Sequence, residues 1–125
     1  MTEAKWLFGS AALFNFLVGL ALFFPALMGG DGLQGDPVTG TNIVYFNFTA
    51  GLILVFGLSY VCVAIDPVKY FPFIWLGALG KLVAITGSIW PWAAGDIDGP
   101  FPYLVLVDAA YVLLFLNYAR RARWP

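Results

Sequence analysis

The sequence predicts an all-α integral membrane protein: four transmembrane helices in an antiparallel bundle, forming one domain over residues 1–125, with both termini on the same, cytoplasmic side. Three observations lead there. The chain is 62% hydrophobic and only 10% charged, against roughly 45–50% and 25% in globular proteins. A domain of 125 residues buries too little surface to hide that much apolar material in a core of its own, so lipid must serve as part of its solvent. Finally, four long apolar runs are separated by short polar stretches, and the basic residues lie at one end of the alternation.

The first span covers about 6–28. Met1 to Lys5 is a polar lead, and the apolar run after it is long enough for the roughly 20 residues that cross a bilayer. A cleaved signal peptide would have a shorter apolar region ending at a small-x-small site. This run instead ends in Phe23-Phe24-Pro25, so the span is expected to be retained. Ala11, Asn15 and Gly19 recur every fourth residue and mark a face where a neighbouring helix can come close, with Asn15 available to hydrogen-bond across the gap.

Gly29 to Thr41 is rich in Gly, Asp, Pro and Thr and reads as a loop. The second span, about 43–65, is capped by Thr41 or Asn42, and Asn47 and Gly51 share one of its faces. Asp66-Pro67 reads as the N-cap and first helical position of a third span over about 68–92, because proline there gives up no needed N–H. On that span Gly80, Ala84 and Gly87 form one stripe and Gly77, Lys81, Ile85 and Ser88 the next, with Trp90 and Trp92 at the membrane interface. A short acidic loop, Ala93 to Pro100, leads to the fourth span, about 101–119, which ends in Arg120, Arg121 and Arg123.

Orientation follows from charge. Lys5, Lys69, Arg120, Arg121 and Arg123 fall on one side of a four-span chain, and neither opposite loop carries a basic residue. The positive-inside rule puts that side in the cytoplasm, as expected of a multi-pass protein of a bacterial inner membrane.

Several function classes are excluded by what the chain lacks. With no histidine and a single cysteine, Cys62, there is neither a disulfide nor a CxxC pair, and metal sites lose their commonest ligand; no cofactor or metal is expected. Asp96-Ile-Asp98-Gly99 echoes the start of a calcium loop but lacks the downstream Glu, and turn chemistry accounts for it. No basic stripe suits nucleic acid. No histidine is present to activate Ser, Thr or Cys as a nucleophile, and no motif supports a mechanism based on Lys81, which favours a non-enzymatic role.

The chemistry that remains is centred on Lys81, the only basic residue far from either end of an apolar run. A lysine in hydrocarbon costs roughly 2.5–3.5 kcal/mol on insertion scales, so a partner is expected. Asp108 is the acidic residue at matching depth: at 1.5 Å per residue Lys81 lies about 16 Å from Trp92, and Asp108 about 10 Å from Phe101. Tyr111 shares the face of Asp108, and Asn15, Asn47 and Ser88 complete a candidate polar interior. The pair is either a structural lock between helices or the centre of a pocket for a small amphipathic or anionic ligand, such as a lipid head group.

Tyr60, Asp66-Pro67, Trp75-Leu-Gly-Ala-Leu-Gly-Lys81 and Asp108 loosely resemble the DoxX-like families of small four-span bacterial membrane proteins. That resemblance implies an inner-membrane bundle and, as the alternative to a ligand-binding protein, an accessory subunit of a larger, quinone-linked respiratory complex. It supplies no catalytic residue. The expected partners are therefore the lipid bilayer, a lipidic or anionic small molecule, and either further copies of the chain or a larger membrane assembly.

Overall fold

In hydrocarbon each backbone N–H and C=O must be satisfied within the chain, and a run of apolar residues meets that requirement as a helix. The computed structural model describes residues 2–24, 40–96 and 101–122, and nearly all of them are helical: α1 Thr2–Phe23, α2 Ile43–Ile65, α3 Pro72–Ala93 and α4 Phe101–Ala122. All four helices are long and apolar enough to cross a membrane. The expected first span runs on to residue 28, and its last residues lie outside the described ones.

Two helix starts differ from the sequence expectation. α1 begins at Thr2, inside the polar lead, because the apolar run marks the hydrocarbon and not the helix. Glu3 suits the first turn of a helix, whose N-terminus is the positive end of the dipole. α3 begins at Pro72 and not at Pro67. Asp66 does bond the next turn, its Oδ1 accepting from the Val68 and Lys69 N–H groups at 3.2 and 3.0 Å. That turn cannot run on as α-helix, because Pro72 has no N–H for the carbonyl four residues back. The chain closes the gap with tighter three-residue bonds, Phe71 N–H to Val68 O at 3.5 Å, Phe73 N–H to Tyr70 O at 2.9 Å and Ile74 N–H to Phe71 O at 3.0 Å, and the helix restarts with proline in its first turn.

Contacts between helices pair residues in reverse order. From α1 to α4 they run Glu3–Arg121, Phe8–Tyr118, Phe8–Phe115 and Phe14–Tyr111. From α3 to α4 they run Lys81–Asp108 and Trp92–Tyr103. The α1–α2 and α3–α4 seams are extensive, whereas the α2–α3 seam is short. Glycines let α1 and α2 approach: a Cβ on Gly57 would lie 2.8 Å from the Phe16 ring. Close fit matters more here than in water, because lipid tails remove the hydrophobic drive for helices to associate and leave packing and interhelical hydrogen bonds.

Two apolar clusters divide the interior. One, around the start of α1 and the last turns of α4, is built on Ala4, Phe8, Ala11, Tyr60, Val63, Ile74, Phe115 and Ala119; its Phe8 and Phe115 rings lie 4.7 Å apart. The other, towards the opposite end, joins Leu22, Phe46 and Ala50. The buried polar residues Asn15 and Lys81 occupy the layer between them.

Candidate functional site

Lys81 is held on α3 within one turn of the point where α2 and α3 touch. There Gly77 accepts the Tyr60 ring so closely that a Cβ would fall 2.5 Å from Cε1, and Gly80 receives Phe56 in the same way. This contact pins the two helices together on one side of Lys81. On the other side, towards Gly87, they have no such contact.

Lys81 is 4% exposed, and its ammonium makes two hydrogen bonds. Nζ donates to Asp108 Oδ1 at 2.5 Å and to Asn15 Oδ1 at 3.3 Å. Three aromatic rings surround it, with centroids at 5.3 Å for Tyr111, 5.4 Å for Tyr60 and 5.5 Å for Phe14. Each ring face is negative, and such contacts are worth about 0.5–2 kcal/mol, more as water is removed. Asn15 uses its amide twice: Nδ2 donates to the Ile53 carbonyl at 3.0 Å while Oδ1 accepts from Lys81. One side chain on α1 thereby ties α2 to α3.

Beside this group lies a cavity of about 490 Å³, a size usual for small-molecule sites. Its polar end is formed by Asn15, Lys81 and Asp108, and its walls are mostly apolar, among them Val18, Ile53, Phe56 and Leu104. Ser88 lines it seven residues beyond Lys81, or about 10 Å along the helix. Between α2 and α3 the cavity is bordered by Thr49, Leu52, Val83 and Gly87, all exposed, so it opens sideways through the outer face of the bundle.

Of the residues singled out from the sequence, Asn15, Lys81, Ser88 and Asp108 come together on this cavity. Tyr111 does not line it: its ring backs Lys81 from outside the cavity, and its hydroxyl donates to Ser10 Oγ at 2.9 Å. Asn47 departs from the expectation. It is exposed and lines no part of the cavity, because α2 turns Phe46, Ala50, Gly57 and Tyr60 inward instead. Tyr60 and Phe14 belong to the site and were not assigned to it from sequence. An aromatic residue in an apolar span gives no sign that it faces a cation, and only the depth match with Lys81 could have pointed to them.

Among the described residues no group of three or more His, Cys, Asp or Glu side chains is placed to hold a metal ion. No protein-family model matches the chain, and no curated protein or solved structure is detectably similar to it.

Proposed function

We propose that this is a multi-pass protein of a bacterial inner membrane, an antiparallel four-span bundle with both termini in the cytoplasm, that binds or passes a small amphipathic molecule in the cavity beside Lys81 and Asp108. The observation that carries the reading is the cavity itself: an apolar chamber of about 490 Å³ with a buried ion pair at one end. A purely structural lock between α3 and α4 needs the pair but not the chamber. The reverse order of the interhelical contacts supports the antiparallel arrangement. The gathering of Lys5, Lys69 and the terminal arginines on one side supports the orientation. Binding rather than catalysis is favoured by a site whose one lysine is engaged and which holds no histidine.

The test is native mass spectrometry on the chain extracted mildly from its host membrane, as wild type and as Gly87→Phe. Gly87 lines the cavity and a Cβ there meets nothing within 4 Å, so the position has room for a side chain that narrows the opening. A discrete small-molecule mass increment, lost in the variant, is the expected result. Polypeptides recovered in fixed ratio, with no small molecule bound, would overturn it in favour of an accessory subunit of a larger complex.

A further inference from the structure

The cavity presents hydrogen-bond acceptors to whatever enters it. Asp108 and Lys81 both line the chamber, and at 17% against 4% exposure the carboxylate is the more open of the two, the ammonium being flanked by three rings. The Lys81 ammonium bonds Oδ1, and among the described residues Oδ2 accepts no hydrogen bond. On α3, further along the cavity, the Ser88 hydroxyl is more than nine-tenths buried, at 7% exposure, and makes no hydrogen bond among the described residues. A buried hydroxyl without a partner costs about 1–3 kcal/mol, so one left facing a chamber points to something that satisfies it. Next to it, the carbonyl of Gly87 lacks its usual donor, because Pro91 four residues on has no N–H.

The opening between α2 and α3 constrains the ligand from the other direction. It lies on the face of the bundle formed by exposed Leu52 and Val83, at mid-helix, where the surroundings of a spanning helix are hydrocarbon. A charged head group reaching it from there would carry the penalty of ionised groups in lipid. The pair inside is already neutral as a whole, so it offers an anion no net attraction.

We propose that the site takes an uncharged, hydroxyl-headed amphiphile from the surrounding bilayer, entering between α2 and α3. Its hydroxyl donates to the free oxygen of Asp108 or to Ser88, and its hydrocarbon body lies along the apolar walls. The inference rests on the binding reading above and narrows it to one head-group chemistry; an alcohol both donates and accepts, as a serine hydroxyl and a carboxylate oxygen lining one cavity require.

The purified full chain is titrated in detergent with three probes that share a chain length: dodecanol, dodecanoate and dodecane. Bound stoichiometry is read by native mass spectrometry for the wild type, Ser88→Ala and Gly87→Phe, each checked for helix content and monodispersity. Dodecanol is expected to bind one per chain, with dodecanoate and dodecane about tenfold weaker or more. Ser88→Ala is expected to weaken the alcohol by several-fold and Gly87→Phe to abolish its binding. Dodecanoate binding as tightly as the alcohol, with both blocked by Gly87→Phe, overturns the head-group assignment and leaves the binding site standing. Dodecane binding as tightly as the alcohol does the same. Alcohol binding that Gly87→Phe leaves unchanged places it outside the cavity and overturns the site as well. No binding of any probe overturns the hydroxyl-headed ligand, while an endogenous mass increment from the host membrane would still uphold the site.

Discussion

Lys81 Nζ lies 2.5 Å from Asp108 Oδ1, joining α3 to α4 in the layer between two apolar clusters. The two charges were taken out of water together, and removing one strands the other. Lys81→Met is therefore expected to destabilise the bundle by about 3–5 kcal/mol, whereas Lys81→Met combined with Asp108→Leu should cost much less. Unfolding of the singles and the double in detergent, arranged as a double-mutant cycle, measures this directly. Additive losses would mean that the pair is not coupled.

Asn15 and Asn47 have the same side chain on neighbouring spans, and the structure separates them. Asn15 bonds to Ile53 O and Lys81, while Asn47 is exposed. Interhelical hydrogen bonds in membranes average about 0.6 kcal/mol each. Asn15→Leu is thus expected to lower stability by about 1 kcal/mol or more, because it also takes an acceptor from Lys81. Asn47→Leu should stay within about 0.5 kcal/mol of wild type, as surface substitutions do. Equal effects in thermal unfolding would place both residues in equivalent surroundings.

The α2–α3 contact is built on Gly77. A Cβ there would meet the Tyr60 ring at 2.5 Å, and that ring is buried, with little room to move. Gly77→Ala should cost about 1–3 kcal/mol through overpacking. Gly51→Ala, where a Cβ meets nothing within 4 Å, is the control and should leave the unfolding midpoint nearly unchanged.

The proposed orientation can be read with single cysteines in a Cys62→Ser background. Lys69→Cys, in the turn between α2 and α3, should react with a membrane-impermeant thiol reagent only from the cytoplasmic side. Gly40→Cys, just before α2, should react only from the opposite side. The reversed pattern in sided vesicles would invert the topology.

Some of this was legible in the residues because its physics is one-dimensional. A span is set by a run of apolar residues as long as the bilayer is thick, and four such runs yielded four helices. The partnership of Lys81 with Asp108 was legible too, because a charge in hydrocarbon needs a counter-charge at its own depth, and depth follows from counting residues. Sequence spacing failed at Asp66-Pro67, where a correct local cap was read as a helix start. Pro72, five residues further on, decided where continuous α-helix could begin.

What the sequence by itself determined is therefore the class of the protein, the number of its spans and the one charge pair it must bury. Which residues face that pair was decided only in three dimensions. Soluble helices announce their inner face by the contrast of apolar and polar residues. Helices that have lipid outside and protein inside are apolar on both sides, and the contrast disappears. Hence nothing in the spans distinguished Tyr60 and Phe14, which ring the ammonium, from Tyr45 and Phe48, which stand exposed. The cavity has the same origin. It exists because two glycines draw α2 and α3 together at Tyr60 and Phe56 while no such contact joins them at Gly87, a difference set by how helices pack and not by the composition of either one.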